Sequence, residues 1–347
     1  MLVDGPPEQR ADTAPAPPAR RAVRTLGLLV SAAVLVLVAL ASIAIGAKEL
    51  SPDQVWHGLF QDTGTYGDVV VDERLSRTLL GLLAGAALGL SGAVLQALTR
   101  NPLADPGLLG INAGASAAVV TAMTYLGVTS LTGYVWFAFL GAAAVGALVW
   151  FLGGSRGATP VRLALAGTAI SAALYGYLQA VMIMDQAALG TMRFWTVGSL
   201  SSATDSTILQ VLPFLAAGTL LALVLARPLN ALAMGDDTAK ALGADVDRTR
   251  ALAMLAATVL CGAATAACGP IVFVGLMVPH VVRSFTGPDL RWILPYAAVL
   301  SPVLLLGSDV VGRVVARPSE LQVGVVTAIV GGPVFILLVR RRRTAQL

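Results

Sequence analysis

Charge, histidine, cysteine and lysine are all scarce in this chain. Of its 347 residues 12% are charged and 6% aromatic, where an average soluble domain carries about 25% charged residues. That excludes an ordinary water-soluble globular domain. The two cysteines, Cys261 and Cys268, lie seven apart in one apolar run. On a helix they are two turns apart on one face, too far for a bridge within it, and they read as small buried core residues. With the two histidines, His57 and His280, they match no metal-ligand spacing. The lysines are Lys48 and Lys240. A phosphate-binding loop needs glycine directly before its lysine, so that backbone N–H groups can wrap the phosphates. Alanine precedes both lysines here, so ATP hydrolysis must come from another polypeptide. The pI near 9.4 does not point to nucleic acid, because the basic residues stand at the ends of apolar runs.

What the chain has in abundance is apolar length. Hydrophobic residues make up 56% of it and the mean hydropathy is +0.80. A charge in mid-bilayer is costly, so charge-free intervals mark membrane spans. They are Leu26–Ala47, Thr78–Thr99, Pro106–Ser155, Leu163–Met184, Ser206–Ala226, Ala251–Val282, Trp292–Ser308 and Leu321–Val339. The third is long enough for two helices and breaks near Thr129 to Gly133. The sixth breaks at Gly269-Pro270, leaving a rather short second helix. The expectation is an all-α polytopic membrane protein of about ten transmembrane helices. Residues 1–25, rich in Pro and Ala, read as a disordered cytoplasmic tail. Residues 26–340 form the membrane domain and 341–347 a basic tail. The stretch Thr25 to Ala47 exceeds a signal-peptide core of 7–15 residues and reads as an uncleaved first helix.

Ten spans place both termini on one side. With that side inside, inner segments hold 17 of the 23 Lys and Arg residues, and outer segments hold Lys48, Arg74, Arg77, Arg193, Arg313 and Arg317. That imbalance follows the positive-inside rule, so a multi-pass protein of the bacterial plasma membrane with cytoplasmic termini is expected.

The stretch Arg74 to Gly114 is the most informative. Between Arg77 and Arg100 lie 22 uncharged residues, one span at about 1.5 Å per residue across roughly 30 Å. Gly81, Gly85 and Gly89 recur every four residues, and such a stripe lets another backbone approach closely. Asn101-Pro102-Leu103-Ala104-Asp105-Pro106 then ends the helix in a rigid polar turn. The strings R-x-x-R, G-A-A-L-G-x-S-G-x-x-x-Q with Gln96, and N-P-L-A-x-P-x-x-L-G resemble the FecCD group of ABC importer permeases, which includes the vitamin B12 permease. Gly269 to Leu276, followed by Pro279, His280 and Arg283, agrees. The resemblance covers the chain from Arg74 onward.

That resemblance implies a permease bundle that works by alternating access. Its partners would be a second permease subunit (identical or related), two cytoplasmic ABC ATPase subunits, an extracytoplasmic substrate-binding protein and membrane lipid, with no nucleic acid. ATP would be handled by the ATPases and no cofactor held by this chain. The implied cargo is an iron chelate such as a ferric siderophore, with a corrinoid or haem as alternatives. Arg74, Arg77 and Arg313 would dock glutamates on the binding protein. On pattern alone they equally snorkel or pair with Asp72, Glu73 or Asp309. Gly235, Ala239, Leu242 and Gly243, in the inner segment Arg227–Arg250, match the family's G-x-x-x-A-x-x-L-G pattern and imply coupling helices that seat on the ATPase. Tyr175, Tyr177, Gln179 and Trp195 would line the translocation pathway; as residues alone they also fit aromatic belt anchoring. Pro279-His280 with Arg283 carries no assigned role. An ion-coupled transporter would want an ionisable residue deep in a helix, whereas Asp185 and Asp309 fall at span ends. An intramembrane enzyme would need a His-rich metal site or a nucleophile–base pair, and neither is present.

Overall fold

The computed structural model describes residues 18–61, 64–128, 130–154 and 160–344, and among them all regular structure is helical. In chain order these are α1 (Pro18–Ala44), α2 (Pro52–Phe60), α3 (Tyr66–Leu98), a 3-10 turn (Pro106–Leu109), α4 (Ile111–Leu126), α5 (Leu131–Gly154), α6 (Pro160–Met184) and α7 (Gln186–Trp195). There follow α8 (Asp205–Val224), α9 (Ala226–Ala233), α10 (Asp236–Ala241), α11 (Val246–Cys268), α12 (Val274–Thr286), α13 (Leu290–Val315) and α14 (Val323–Thr344). Each of the ten expected spans has its helix: α1, α3, α4, α5, α6, α8, α11, α12, α13 and α14. Seven of them are long and apolar enough to cross a membrane unaided; α4 and α12 are shorter, and the apolar part of α14 is Val323–Leu337. Outer and inner denote the ends assigned from charge.

Several boundaries differ from the charge-based reading. α1 starts at Pro18, so residues 18–25 belong to a helix and not to a disordered tail; residues 1–17 lie outside the described residues. α14 carries helix through Arg343 to Thr344, into the supposed basic tail. α3 starts twelve residues before Thr78, because Thr65 and Asp68 form a reciprocal capping box at its N-terminus, which satisfies two otherwise orphaned N–H groups. The outer segment also contains α2, capped by Ser51 and Gln54. Charge-free intervals find where a helix can lie in lipid, and they miss the turns of helix that project beyond it.

α3 is the centre of the bundle. Glycines on one of its faces give the closest approaches to α13 and α12. A Cβ on Gly85 would stand 2.6 Å from the Pro302 Cα. One on Gly89 would overlap the Ser301 hydroxyl, and one on Gly92 the Gly275 carbonyl oxygen. Gly81 takes the Leu306 side chain in the same way. Small residues at such spacing let backbones meet where lipid supplies no hydrophobic drive.

The Gly269-Pro270 break has a structural cause. Gly269 ends α11 at φ +72°, and a Cβ there would overlap the Trp195 carbonyl. The next helix begins at Val274 and has 13 residues, about 20 Å at 1.5 Å per residue, less than the hydrocarbon thickness. Residues 269–273 are the non-helical lead into it, packed against Trp195 at the end of α7, Gly198 of the loop after it and, at Phe273, Gly331 of α14. Irregular backbone at membrane depth survives only where protein covers it.

Candidate functional site

Three places gather the residues singled out in the sequence, and the outer end of the bundle is the most polar. Arg77, in the fourth turn of α3, donates to both oxygens of Asp309 on α13, at 2.7 to 3.2 Å, and to Glu320 at 2.7 Å. Arg313, one turn beyond Asp309, lies 3.1 Å from the same carboxylate and donates to the carbonyl and hydroxyl of Ser42 on α1. The Arg74 guanidinium donates to the carbonyls of Ile43, Ala44 and Lys48. The relative exposures of these arginines are 5, 9 and 1% for Arg74, Arg77 and Arg313, and Asp309 has none.

These arginines sit inside long helices and turn inward, and of the sequence-level alternatives Arg77 and Arg313 show the pairing with Asp309. Beside them opens a cavity of about 490 Å³. Lys48, Tyr66, Glu73 and Glu320 line it with the three arginines, and Ser201 to Thr204 close one side. The three predicted docking residues are therefore brought together, as the lining of a recess. Glu320 was not found from the sequence. Its only signal was an acid among the basic residues Arg313 and Arg317.

At the inner end, the Arg227–Arg250 segment folds as α9 and α10. Gly235, at φ +114°, starts α10, and Gly243, at φ +81°, follows its end. Leu242 is 65% exposed, as is Met234 at 67%, whereas Ala239 is fully buried. Ala239 thus packs within the chain, whereas the apolar side chains of Met234 and Leu242 stand exposed. Arg100 and Arg250 both bind Asp236 at the start of α10, Arg250 at 2.8 Å, and Arg100 also donates to the Leu232 carbonyl. Burial pushes the Asp236 carboxyl up, but the hydrogen bonds from Arg100 and Arg250 outweigh it and hold it below the usual carboxylate range. Asn230 on α9 donates to Asp289 and accepts from the Leu290 N–H at the start of α13. The short helices are therefore fastened to α3, α11 and α13.

The Asn101–Pro106 turn beside them is built by side-chain oxygens. Asn101 accepts from the Leu103 N–H and Asp105 from the Gly107 N–H, and Pro106 opens the 3-10 turn. His280, one residue after Pro279 in α12, lies 3.2 Å from the Pro102 carbonyl through Nδ1. Gln96 donates to the carbonyls of Gly275 and Leu276 at the start of α12. The two sequence strings that carried the resemblance are thus in direct contact.

The third place is α6, most of whose face is uncovered. Tyr175 and Tyr177 are 45% and 37% exposed, and Gln179 and Gly176 are exposed as well. Tyr177 also hydrogen-bonds Thr121 on α4 at 2.8 Å. Trp195 ends α7, half-buried, with its carbonyl against Gly269. An uncovered, weakly apolar helix face of this kind meets either lipid or another subunit.

Comparison with known proteins agrees with this layout. Residues 34–341 match the FecCD transport family. The chain is 48% identical over 327 residues to the ferric enterobactin transport system permease protein FepD of Escherichia coli strain K12, covering 93% of this chain and 96% of that one. It is 39% identical over 322 residues to FepG, the second permease protein of that name series in the same organism, with 92% and 96% covered. A solved structure assigned to the metal-chelate type of ABC transporter, in an inward-facing conformation, superposes with a TM-score of 0.81 at 27% identity, over 91% of this chain and 99% of that one.

Proposed function

This chain belongs to the FecCD transport family, and from that premise we propose that it is the transmembrane permease subunit of an ABC importer for iron chelates of the ferric siderophore type. The observation that carries the reading is the 48% identity to a ferric enterobactin permease across nearly the whole of both chains. In this role the chain performs no chemistry of its own. A second permease subunit covers the open face of α6, with the central path between the two copies. FepD and FepG are two permease proteins of one transport system, and this chain matches FepD better; that favours a related rather than identical partner.

Two cytoplasmic ATPase subunits seat on Met234 and Leu242. Closure of the ATPases pulls on α9 and α10, and the clamp from Arg100 and Arg250 to Asp236 passes the movement to α3 and α11. At the outer end a loaded binding protein docks on the recess lined by Arg74, Arg77 and Arg313, where charges steer encounter and set register. The permease holds cargo weakly, since a tight site would hinder release. Proton coupling is disfavoured by a specific feature: Asp309, the fully buried acid of α13, is already held by two guanidiniums, so it offers no vacant site for an ion.

The test is uptake by vesicles containing the permease pair, the ATPase and the binding protein, against ferric siderophores, haem and a corrinoid. ATP-dependent uptake of a ferric siderophore is expected. Uptake that needs no ATPase, or that follows an imposed ion gradient, would overturn the importer reading; uptake of haem or corrinoid alone would overturn the cargo.

A further inference from the structure

The outer recess carries an excess of positive charge. Lys48, Arg74, Arg77 and Arg313 line it against Glu73 and Glu320, with Asp309 behind Arg77 and Arg313, so four cations face three carboxylates. Two of the anions differ sharply in how they are held. Asp309 is fully buried between two guanidiniums. Glu320 reaches Arg77 through one 2.7 Å bond, keeps 35% of its side chain exposed, and comes from the short connection between α13 and α14. Arg74 donates to backbone carbonyls alone among its described bonds. The recess is thus one carboxylate short of balance, and one of the carboxylates it holds is easily released.

We propose that Glu320 is an intramolecular stand-in, displaced from Arg77 by the carboxylate that the docking binding protein of the proposed importer presents to this recess. The inference rests on the importer reading and adds a competing group within the chain. Water reaches Glu320, which keeps 35% of its side chain exposed, and screens the pair, so exchanging one carboxylate for another on Arg77 has a small net cost, and docking is reversible. The exchange also has a route inward. Glu320 ties α3 to the segment that leads into α14. The backbone of α14 begins against the outer-mouth loop, where the Gly324 N–H donates to the Gly198 carbonyl at 3.2 Å and a Cβ on Gly324 would overlap the Val197 carbonyl. Releasing Glu320 therefore loosens the connection that abuts the loop after Trp195.

The experiment uses the permease–ATPase complex in lipid nanodiscs, with the binding protein that stimulates its ATP hydrolysis as the probe. Dissociation constants are measured for wild type, Glu320→Gln, Glu320→Asp and Arg77→Gln, at low and high salt. Removing the competitor should tighten docking roughly two- to fivefold at low salt, the worth of one screened ion pair. Glu320→Asp should stay near wild type, Arg77→Gln should weaken docking, and high salt should erase the gain. Equal or weaker docking by Glu320→Gln, with Arg77→Gln still weakened, would overturn the stand-in while leaving the importer reading intact. If no binding protein stimulates the wild-type complex, the importer reading itself falls. Hydrogen exchange needs no variant to fold. Residues 316–322 of the wild-type complex should exchange faster once the binding protein docks, and slower or unchanged exchange would overturn the displacement.

Discussion

The two ends of this bundle use the same ion-pair chemistry under opposite conditions. At the outer end Asp309 is fully buried and shared by Arg77 and Arg313, whose side chains are 11% and 2% exposed. At the inner end Asp236 is shared by Arg100 and Arg250 with 37% of its side chain exposed. Burial removes water as an alternative partner, so breaking the outer set leaves charges with nowhere to go. The inner set is solvated and screened, and breaking it costs little stability. In the proposed importer cycle, one arrangement suits a part that stays rigid, the other a clamp on short helices that move.

The largest expected effect comes from neutralising the shared outer acid. Asp309→Asn should destabilise the permease by about 3–5 kcal/mol, because Arg77 and Arg313 lose their common counter-ion in the interior; thermal unfolding in detergent measures it. A loss below about 1 kcal/mol would mean that water reaches the network and the contrast with the inner end is false. Next comes Asp289→Ala, which removes both the N-cap of α13 and the anchor of Asn230 and should cost about 1 kcal/mol.

Asp236→Asn should cost less, within about 1 kcal/mol, yet lower transport per ATP hydrolysed. Equal losses in stability and coupling would remove the distinction between clamp and scaffold. Acid sharpens the same comparison. For Asp289, as for Asp236, burial pushes the carboxyl up, but hydrogen bonds, from Arg291 and Asn230 here, outweigh it and hold it low. A depressed carboxylate stabilises the fold fully above its ordinary pKa near 3.8, and that contribution disappears as pH falls through the lower folded value. Inner-end stabilisation should therefore persist from neutral pH to about pH 4 and be lost below it. One molar salt, with a Debye length of about 3 Å, should weaken the inner clamp at neutral pH and leave the outer network intact. Smallest of all, Arg291→Ala removes an exposed pair with Asp289 and should change stability by no more than about 0.5 kcal/mol.

Much of the layout was legible because membrane spans are written in one dimension. The absence of charge marked each span, Gly269 stands at a break read from the sequence, the break read near Thr129 to Gly133 lies between Leu126 and Leu131, and the glycine stripe of α3 is the seam of the bundle. Gly243 follows the end of its short helix. The site was harder to read. Arg74, Arg77 and Arg313 line one recess, but the turns of α3 and α13 beyond the charge-free intervals turn them inward. Ala239 matched a motif and proved to be inward, while Met234, exposed beside it, matched none. Pairing and direction depend on helix rotation, which periodicity in a nearly all-apolar span does not report.

Composition and order of apolar runs were enough to specify a helical multi-span membrane protein, because lipid forces every spanning backbone to satisfy its own hydrogen bonds, and the motif strings added the resemblance to the FecCD permeases. Which charges meet was decided only in three dimensions. Arg77, Asp309 and Glu320 are separated by more than two hundred residues along the chain for the first pair, and no local rule links them. Their contact exists because α3 and α13 close on each other through glycine, bringing one buried acid between two arginines where no water can compete.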